Sequence, residues 1–229
     1  MSSFSKLARI LSGISVLALC ACATTQQAPL AQVMATPTSG MLTDMNQLTP
    51  GGPGQASLRY VNPSVDWKSY TKIIIEPVTF WGSSTTDAST ATQQMLCDYL
   101  YNALNEKLAG NLQIVTEPGP NTMVLKIALT DVTASTPGLR TISVIVPQAR
   151  LLTALGNVGT GNQAFAGSAQ GEGELTDSVT GERLAAFVDR TQAAASLSNA
   201  GSFQWGDAKT VLDSWVVLMD KRLVELQGS

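Results

Sequence analysis

The sequence predicts an α+β fold: a mainly antiparallel sheet of about five strands with two helices packed on one face, preceded by a disordered tether. Three observations point there. Several stretches are rich in β-branched and aromatic residues over the length of a strand. Two others carry apolar residues at helical spacing, one through Leu96, Leu100, Leu104 and Leu108 and one near the carboxyl end. The order of these stretches, β-α-β-β-β-β-α, is that of an α+β sandwich.

Ahead of the domain the chain reads MSSFSKLARILSGISVLALCAC. Lys6 and Arg9 make a basic start, and Ile10 to Leu19 form an uncharged apolar run. That run is about half the roughly twenty residues a membrane-spanning helix needs, so it reads as a removable signal. Lipoprotein signal peptidases require an aliphatic residue three before the cysteine and a small residue just before it. Leu19-Cys20-Ala21-Cys22 meets both conditions for Cys22, whereas Leu19 directly precedes Cys20. The alternative, ordinary secretory cleavage at Ala21-Cys22-Ala23, leaves the two cysteines without a purpose. The expected organisation is a signal peptide over 1–21, a lipidated flexible tether over 22–54 and a single periplasmic domain over 55–229. Each buried acyl methylene contributes about 0.8 kcal/mol, so several chains on Cys22 make a lasting anchor. Ala23, where an inner-membrane retention signal places Asp, favours the outer membrane, facing the periplasm.

Composition narrows the function classes. Removal of 21 residues from 229 leaves 208, enough for one domain with a real core. The mature balance is 12 basic against 17 acidic residues, with no basic run, which argues against nucleic acid as a partner. With no histidine in the chain, Ser-His-Asp and Cys-His catalysis and most zinc or copper sites are excluded. Cys97, the one thiol left after acylation of Cys22, sits in an apolar helical pattern and reads as a buried structural residue.

Along the chain, 23–54 holds one charge, Asp44, and buries too little apolar surface to offset its ordering entropy. Only Met41 to Leu48 offers an apolar stretch able to dock on the domain. Leu58 to Val61 reads as a short strand and Lys72 to Trp81 as a buried one, with Pro77 demanding a bulge or an edge. Asp87 or Ser89 caps a helix running to about Ala109, which Gly110-Asn111 terminates. Leu112 to Val115 is a short strand. Thr122 to Thr133 is a long one, with Met123, Leu125, Ile127 and Leu129 on one face. In Arg140 to Leu155, Ile142, Val144 and Val146 alternate like a strand before Pro147, and Ala149 to Leu155 reads as a helical turn or two. Gln163 to Asp177 and Glu182 to Arg190 form a hairpin through Asp177-Ser178-Val179-Thr180-Gly181. Asp207 N-caps the last helix, whose stripe includes Val211, Leu212, Trp215, Leu218, Met219 and Leu226.

Candidate chemistry is sparse. Glu172 and Glu174 project to one face of a strand about 7 Å apart, a spacing that suits acid–base or hydrolytic work. The commoner arrangement is a solvated sheet face with partners such as Lys126. Asp131, Asp177 and Asp189 are candidates to join them around calcium, although turn capping is the commoner use of Asp. Trp67, Trp81, Trp205 and Trp215 read as large pieces of the core. Ile142, Val144, Val146, Leu151 and Leu152 are either core or an exposed contact for lipid or a partner subunit.

The runs LRYVNPSVDWKSYTKIIIEPVTFW, GEGELTDSVTGERLAAFVDR and WGDAKTVLDSWVVLMDKRL resemble a group of uncharacterised proteobacterial lipoproteins known as a domain of unknown function. The shared features are an acidic strand, a D-x-x-T-G-E hairpin and a W-x-D helix start. The resemblance implies a periplasm-facing lipoprotein and carries no catalytic residue. The D-x-x-T-G hairpin is also distantly similar to that of curli-secretion-type outer-membrane lipoproteins, which implies a ring-forming α+β core; long amphipathic hairpins are not evident here. The expected role is a membrane-anchored structural or protein-interaction module without a cofactor or enzymatic activity, held by lipid on Cys22 and by a protein partner or further copies. The alternatives are a secretion-channel-like subunit, or a ligand-binding or hydrolytic domain using Glu172 and Glu174.

Overall fold

The strand β7 (Thr122–Thr133) is the centre from which the domain is built. In the computed structural model, which describes residues 25–82, 86, 88–134, 167–193 and 205–228, Met123, Leu125, Ile127 and Leu129 are all buried on one face of β7. β8 (Ser168–Asp177) pairs antiparallel with β7, and β9 (Arg183–Ala193) pairs antiparallel with β8. The β8–β9 turn is set by its own residues. Asp177 Oδ1 accepts bonds from Val179 N, Thr180 N and Thr180 Oγ1, and Gly181 supplies the left-handed φ of +72° that closes the loop. A bulge at Thr130 and another at Leu184 shift the registers, and the second returns Leu184 to the main core.

The edge beyond β7 is parallel. β4 (Lys72–Ile75) and β5 (Thr79–Phe80) run parallel to β7 in successive registers, and Glu76-Pro77-Val78 separates them. Proline cannot donate to a ladder, which accounts for the break. The helix α2 (Thr90–Leu108) then crosses to β6 (Gln113–Ile114), which pairs parallel with β4. Parallel neighbours require such a crossover. Ser89 caps α2, its Oγ accepting from Thr92 N at 3.3 Å, and the leucine series Leu96, Leu100, Leu104 and Leu108 is buried. The carboxyl-terminal helix α3 (Gly206–Gly228) packs beside α2 on the same sheet face and completes the main core. Asp207, expected as the N-cap, lies inside the first turn, where its buried Oδ2 accepts from Gly167 N at 3.2 Å.

The other edge is formed by β3 (Leu58–Val61) on β9 and β2 (Thr49–Pro50) on β3, while β1 (Thr25–Gln27) continues alongside β9. Among the described residues the sheet is therefore mixed and nine-stranded, with path order β2-β3-β9-β8-β7-β4-β6, and there are three α-helices. The expectation of about five mainly antiparallel strands and two helices is corrected accordingly. β1 and β2 have only two or three residues each, too short to show a period of two in the sequence, whereas β6 lies within the expected Leu112–Val115 strand and the expected Lys72–Trp81 strand divides at Pro77 into β4 and β5.

A second difference concerns 25–50. Composition predicts a flexible tether, yet β1, the helix α1 (Leu30–Ala35), a 3-10 turn at Met45–Gln47 and β2 all lie against the fold. Val33 and Leu42 are buried with Leu58, Ala186 and Val188, and Met41, Met45 and Leu48 pack around them. Four or five well-placed apolar residues offset the ordering entropy because a preformed sheet face receives them. The docking expected of Met41 to Leu48 is seen.

Two tyrosines tie the elements through carboxylates. Tyr70 Oη donates to Asp177 Oδ2 at 2.9 Å, and Tyr99 Oη donates to Asp213 Oδ1 at 2.6 Å, linking α2 to α3. Burial first and the Asp bond second push each phenol up to about 12. The Thr180 backbone bond, together with the other turn donors, lowers the Asp177 carboxyl. A raised folded-state value means the phenols' stabilisation is complete below pH 10 and is lost as pH climbs toward 12. Two of the four tyrosines should therefore ionise late in an alkaline absorbance titration. Titration of all four near their ordinary value would show that these bonds do not form.

Candidate functional site

β8 carries different chemistry on its two faces, and the contrast organises the molecule. On the face away from α2 and α3 stand Gln170, Glu172 and Glu174. Glu172 is 0% exposed, and its Oε1 accepts from both Ser39 N, at 3.2 Å, and Ser39 Oγ. Gln170 Nε2 donates to the Val33 carbonyl at 3.4 Å. Glu174 pairs with Arg183, which also donates to the Asp44 carbonyl and to Gln47 Oε1. Arg190 bridges to Asp131 at 2.7 Å and reaches Thr36 Oγ1. Every polar member of this row thus holds a point of the 33–47 segment or an ion partner beside it. The predicted carboxylate face is the seat of the amino-terminal segment. Glu172 and Glu174 share that seat, the first held by Ser39 and the second by Arg183. Lys126, the expected partner across the ladder, instead pairs with Glu76.

On the helix face, Gly171 and Gly173 leave room for side chains above them. A Cβ at Gly171 would stand 3.2 Å from the Trp215 ring, so the α3 indole rests directly on that glycine. Asp189 lies opposite Gly171 in the ladder. It is buried and accepts five bonds: from Gln27 Nε2, Ser57 N and Ser57 Oγ on Oδ1, and from Thr191 Oγ1 and Trp215 Nε1 on Oδ2, all between 2.7 and 2.9 Å. One carboxylate, with no cation beside it among the described residues, therefore gathers β1, the turn before β3, β9 and α3. Those five bonds replace the water that the carboxylate loses on burial.

Outward from Trp215, α3 overhangs β3 and leaves an open apolar groove of about 330 Å³. Val61, Ala185 and Phe187 form its floor, and Leu218, Met219 and Leu226 its wall. Arg59 and Arg222 stand at its rim, both tied to the same turn. Arg59 Nη1 donates to Gln55 Oε1 at 2.7 Å, and Arg222 Nη2 donates to the Gly54 carbonyl. Arg222 also pairs with Glu225.

The remaining candidates disperse. Asp131 is in its arginine pair, Asp177 in the hairpin turn and Asp189 on the helix face, so the three do not meet. Among the described residues no group of three Cys, Asp or Glu is placed to hold a metal ion. Trp67 is core and Trp205 and Trp215 pack against it, but Trp81 is 60% exposed, its Nε1 bonded to Thr79 Oγ1. Among the described residues β5 is paired on one side only, by β7. Cys97 is buried in α2, and burial, aided by Asp98, pushes its thiol up to about 11, so it is protonated at neutral pH. Cys22, Ile142, Val144, Val146, Leu151 and Leu152 lie outside the described residues. Sequence reasoning missed the Asp189–Trp215 pair and the groove. Their only signal is that Gly171 and Asp189 face each other across β8 and β9, which needs the register to interpret.

Fold and site together define an α+β domain sealed on one face by its own amino-terminal segment and grooved on the other. The family model "Protein of unknown function (DUF3313)" matches residues 37–219, and the chain belongs to that family. It is 29% identical over 218 residues to the uncharacterized lipoprotein YdcL of Escherichia coli K12, covering 93% of this chain and 92% of that protein. Among solved structures it is similar to a PelC dodecamer from Paraburkholderia phytofirmans, with 13% identity and a TM-score of 0.39 over 71% of this chain and 93% of that one. Protein XCC0632 of Xanthomonas campestris gives 12% identity and a TM-score of 0.35 over 73% and 87%. Among the described residues, no helix is long and apolar enough to cross a membrane.

Proposed function

We propose that this chain is a lipid-anchored, non-catalytic module of the outer membrane, facing the periplasm and serving structural or protein-interaction roles there. Acylated Cys22 is the anchor, and Ile142, Val144, Val146, Leu151 and Leu152 supply a second contact, with lipid or with a partner subunit. The observation that carries this reading is the convergence of chain ends. Thr25 faces Ala193, Ser168 faces Gln192 and Thr133 faces Ser168, so β1, β9, β8 and β7 all reach the same end of the sheet. Four adjacent strands span only about 15 Å. Thr25 follows Cys22 by three residues, and the 135–166 segment leaves and rejoins the domain at that end. The points at which the anchor-bearing end and the 135–166 segment join the domain are therefore neighbours. The uncharacterised lipoprotein relative supports lipidation. The buried seat of Glu172 and the arginine pairing of Glu174 support a scaffold role for the acidic strand.

Density-gradient separation of cell envelopes tests the reading. The wild-type chain should migrate with the outer membrane, and a Cys22→Ser variant should leave that fraction. Migration of the wild type with the inner membrane, or its release as a soluble protein, would overturn it.

A further inference from the structure

We propose that the groove between α3 and β3 is a binding site for a single long-chain fatty carboxylate. This inference goes beyond the anchor reading and does not depend on it. The shape of the groove selects the occupant. From Trp215 to Leu226 the helix wall is about 16 Å long at 1.5 Å per residue. The groove is open along its length and lined almost wholly by apolar side chains, which suits an extended polymethylene chain.

The rim selects the head group. Arg59 and Arg222 converge on the Gly54–Gln55 turn, so two guanidinium groups border one mouth of an otherwise apolar channel. Among the described residues Arg59 is in no ion pair, and Nε of Arg222 is buried without an acceptor. Arg222 shares its charge with Glu225, and Asp189, the other acid at the groove, is saturated by five donors. A planar carboxylate at this mouth would accept from guanidinium N–H groups in the geometry they favour. The chain would lie on Ala185, Phe187, Leu218 and Met219.

The test uses the full-length protein, in phosphatidylcholine nanodiscs where it is membrane-bound and in buffer where it is not, and a fatty acid carrying a photoactivatable diazirine in its chain. Cross-links are expected on peptides of α3 and β9. Oleate should compete at least tenfold better than oleyl alcohol. The double variant Arg59→Gln, Arg222→Gln should reduce labelling fivefold or more. Ala185→Trp should abolish it by filling the floor; if that variant does not fold, the rim variant decides. Labelling elsewhere in the chain, equal competition by the alcohol, or labelling insensitive to the arginines would overturn the proposal. So would cross-links from the groove to a second copy or to another segment of this chain in place of the probe.

Discussion

Replacing Asp189 with Ala is expected to lower the unfolding free energy by about 3–5 kcal/mol. The carboxylate accepts from Gln27, from Ser57 twice, from Thr191 and from Trp215, and it is buried. Removing it strands several donors at once, and a buried donor without an acceptor costs about 1–3 kcal/mol. Some of them will find water, which keeps the total below the simple sum. Domains of this kind are stable by about 5–15 kcal/mol, so the loss is a large share. Asp189→Asn should cost less, because it retains one oxygen for two or three of the donors. Urea unfolding measures both variants. A loss below about 1 kcal/mol for Asp189→Ala would mean that the node does not hold β1, β9 and α3 together.

The second large effect is expected at Leu129→Ala, with a loss of about 2–5 kcal/mol. Leu129 is wholly buried where β7 meets the layer of α2 and α3. Its neighbours are committed to sheet and helix, so a cavity there cannot close. The contrast is Trp81→Ala. Although a tryptophan is the larger side chain, Trp81 is 60% exposed on the β5 edge, and its removal should change stability by less than about 0.5 kcal/mol. Equal losses at the two positions would show that the core has been misplaced.

What was legible in the sequence depended on the length of the signal. β7 runs from Thr122 to Thr133 as read, because twelve residues of alternation leave no second interpretation. α2 was legible for the same reason through its four leucines and its Ser89 cap. The hairpin was announced by Asp177 and Gly181, whose roles are local. By contrast, the parallel edge was hidden. A two-residue strand such as β6 acquires its direction only from α2 crossing above it. The amino-terminal segment was hidden too, since Val33 and Leu42 are isolated in a polar stretch and gain their value from a sheet formed more than a hundred residues later.

The candidate site divides in the same way. That Glu172 and Glu174 share a face follows from strand periodicity, but what covers that face does not. Ser39, Thr36 and Gln47 carry no motif, and they meet β8 and β9 only through the tertiary fold. The groove likewise arises from how far α3 overhangs β3, a matter of packing and not of any residue pattern. Cys22 is the opposite case, where a four-residue pattern makes a chemical claim without the fold.

That claim is tested most directly by the intact mass and amino-terminal peptide of the mature protein purified from membranes. The expected chain begins at Cys22, carries the added mass of its acyl groups, and is processed identically when Cys20 is replaced by Ser. A mature chain that begins at any other residue, or one that begins at Cys22 without acyl mass, would contradict the account.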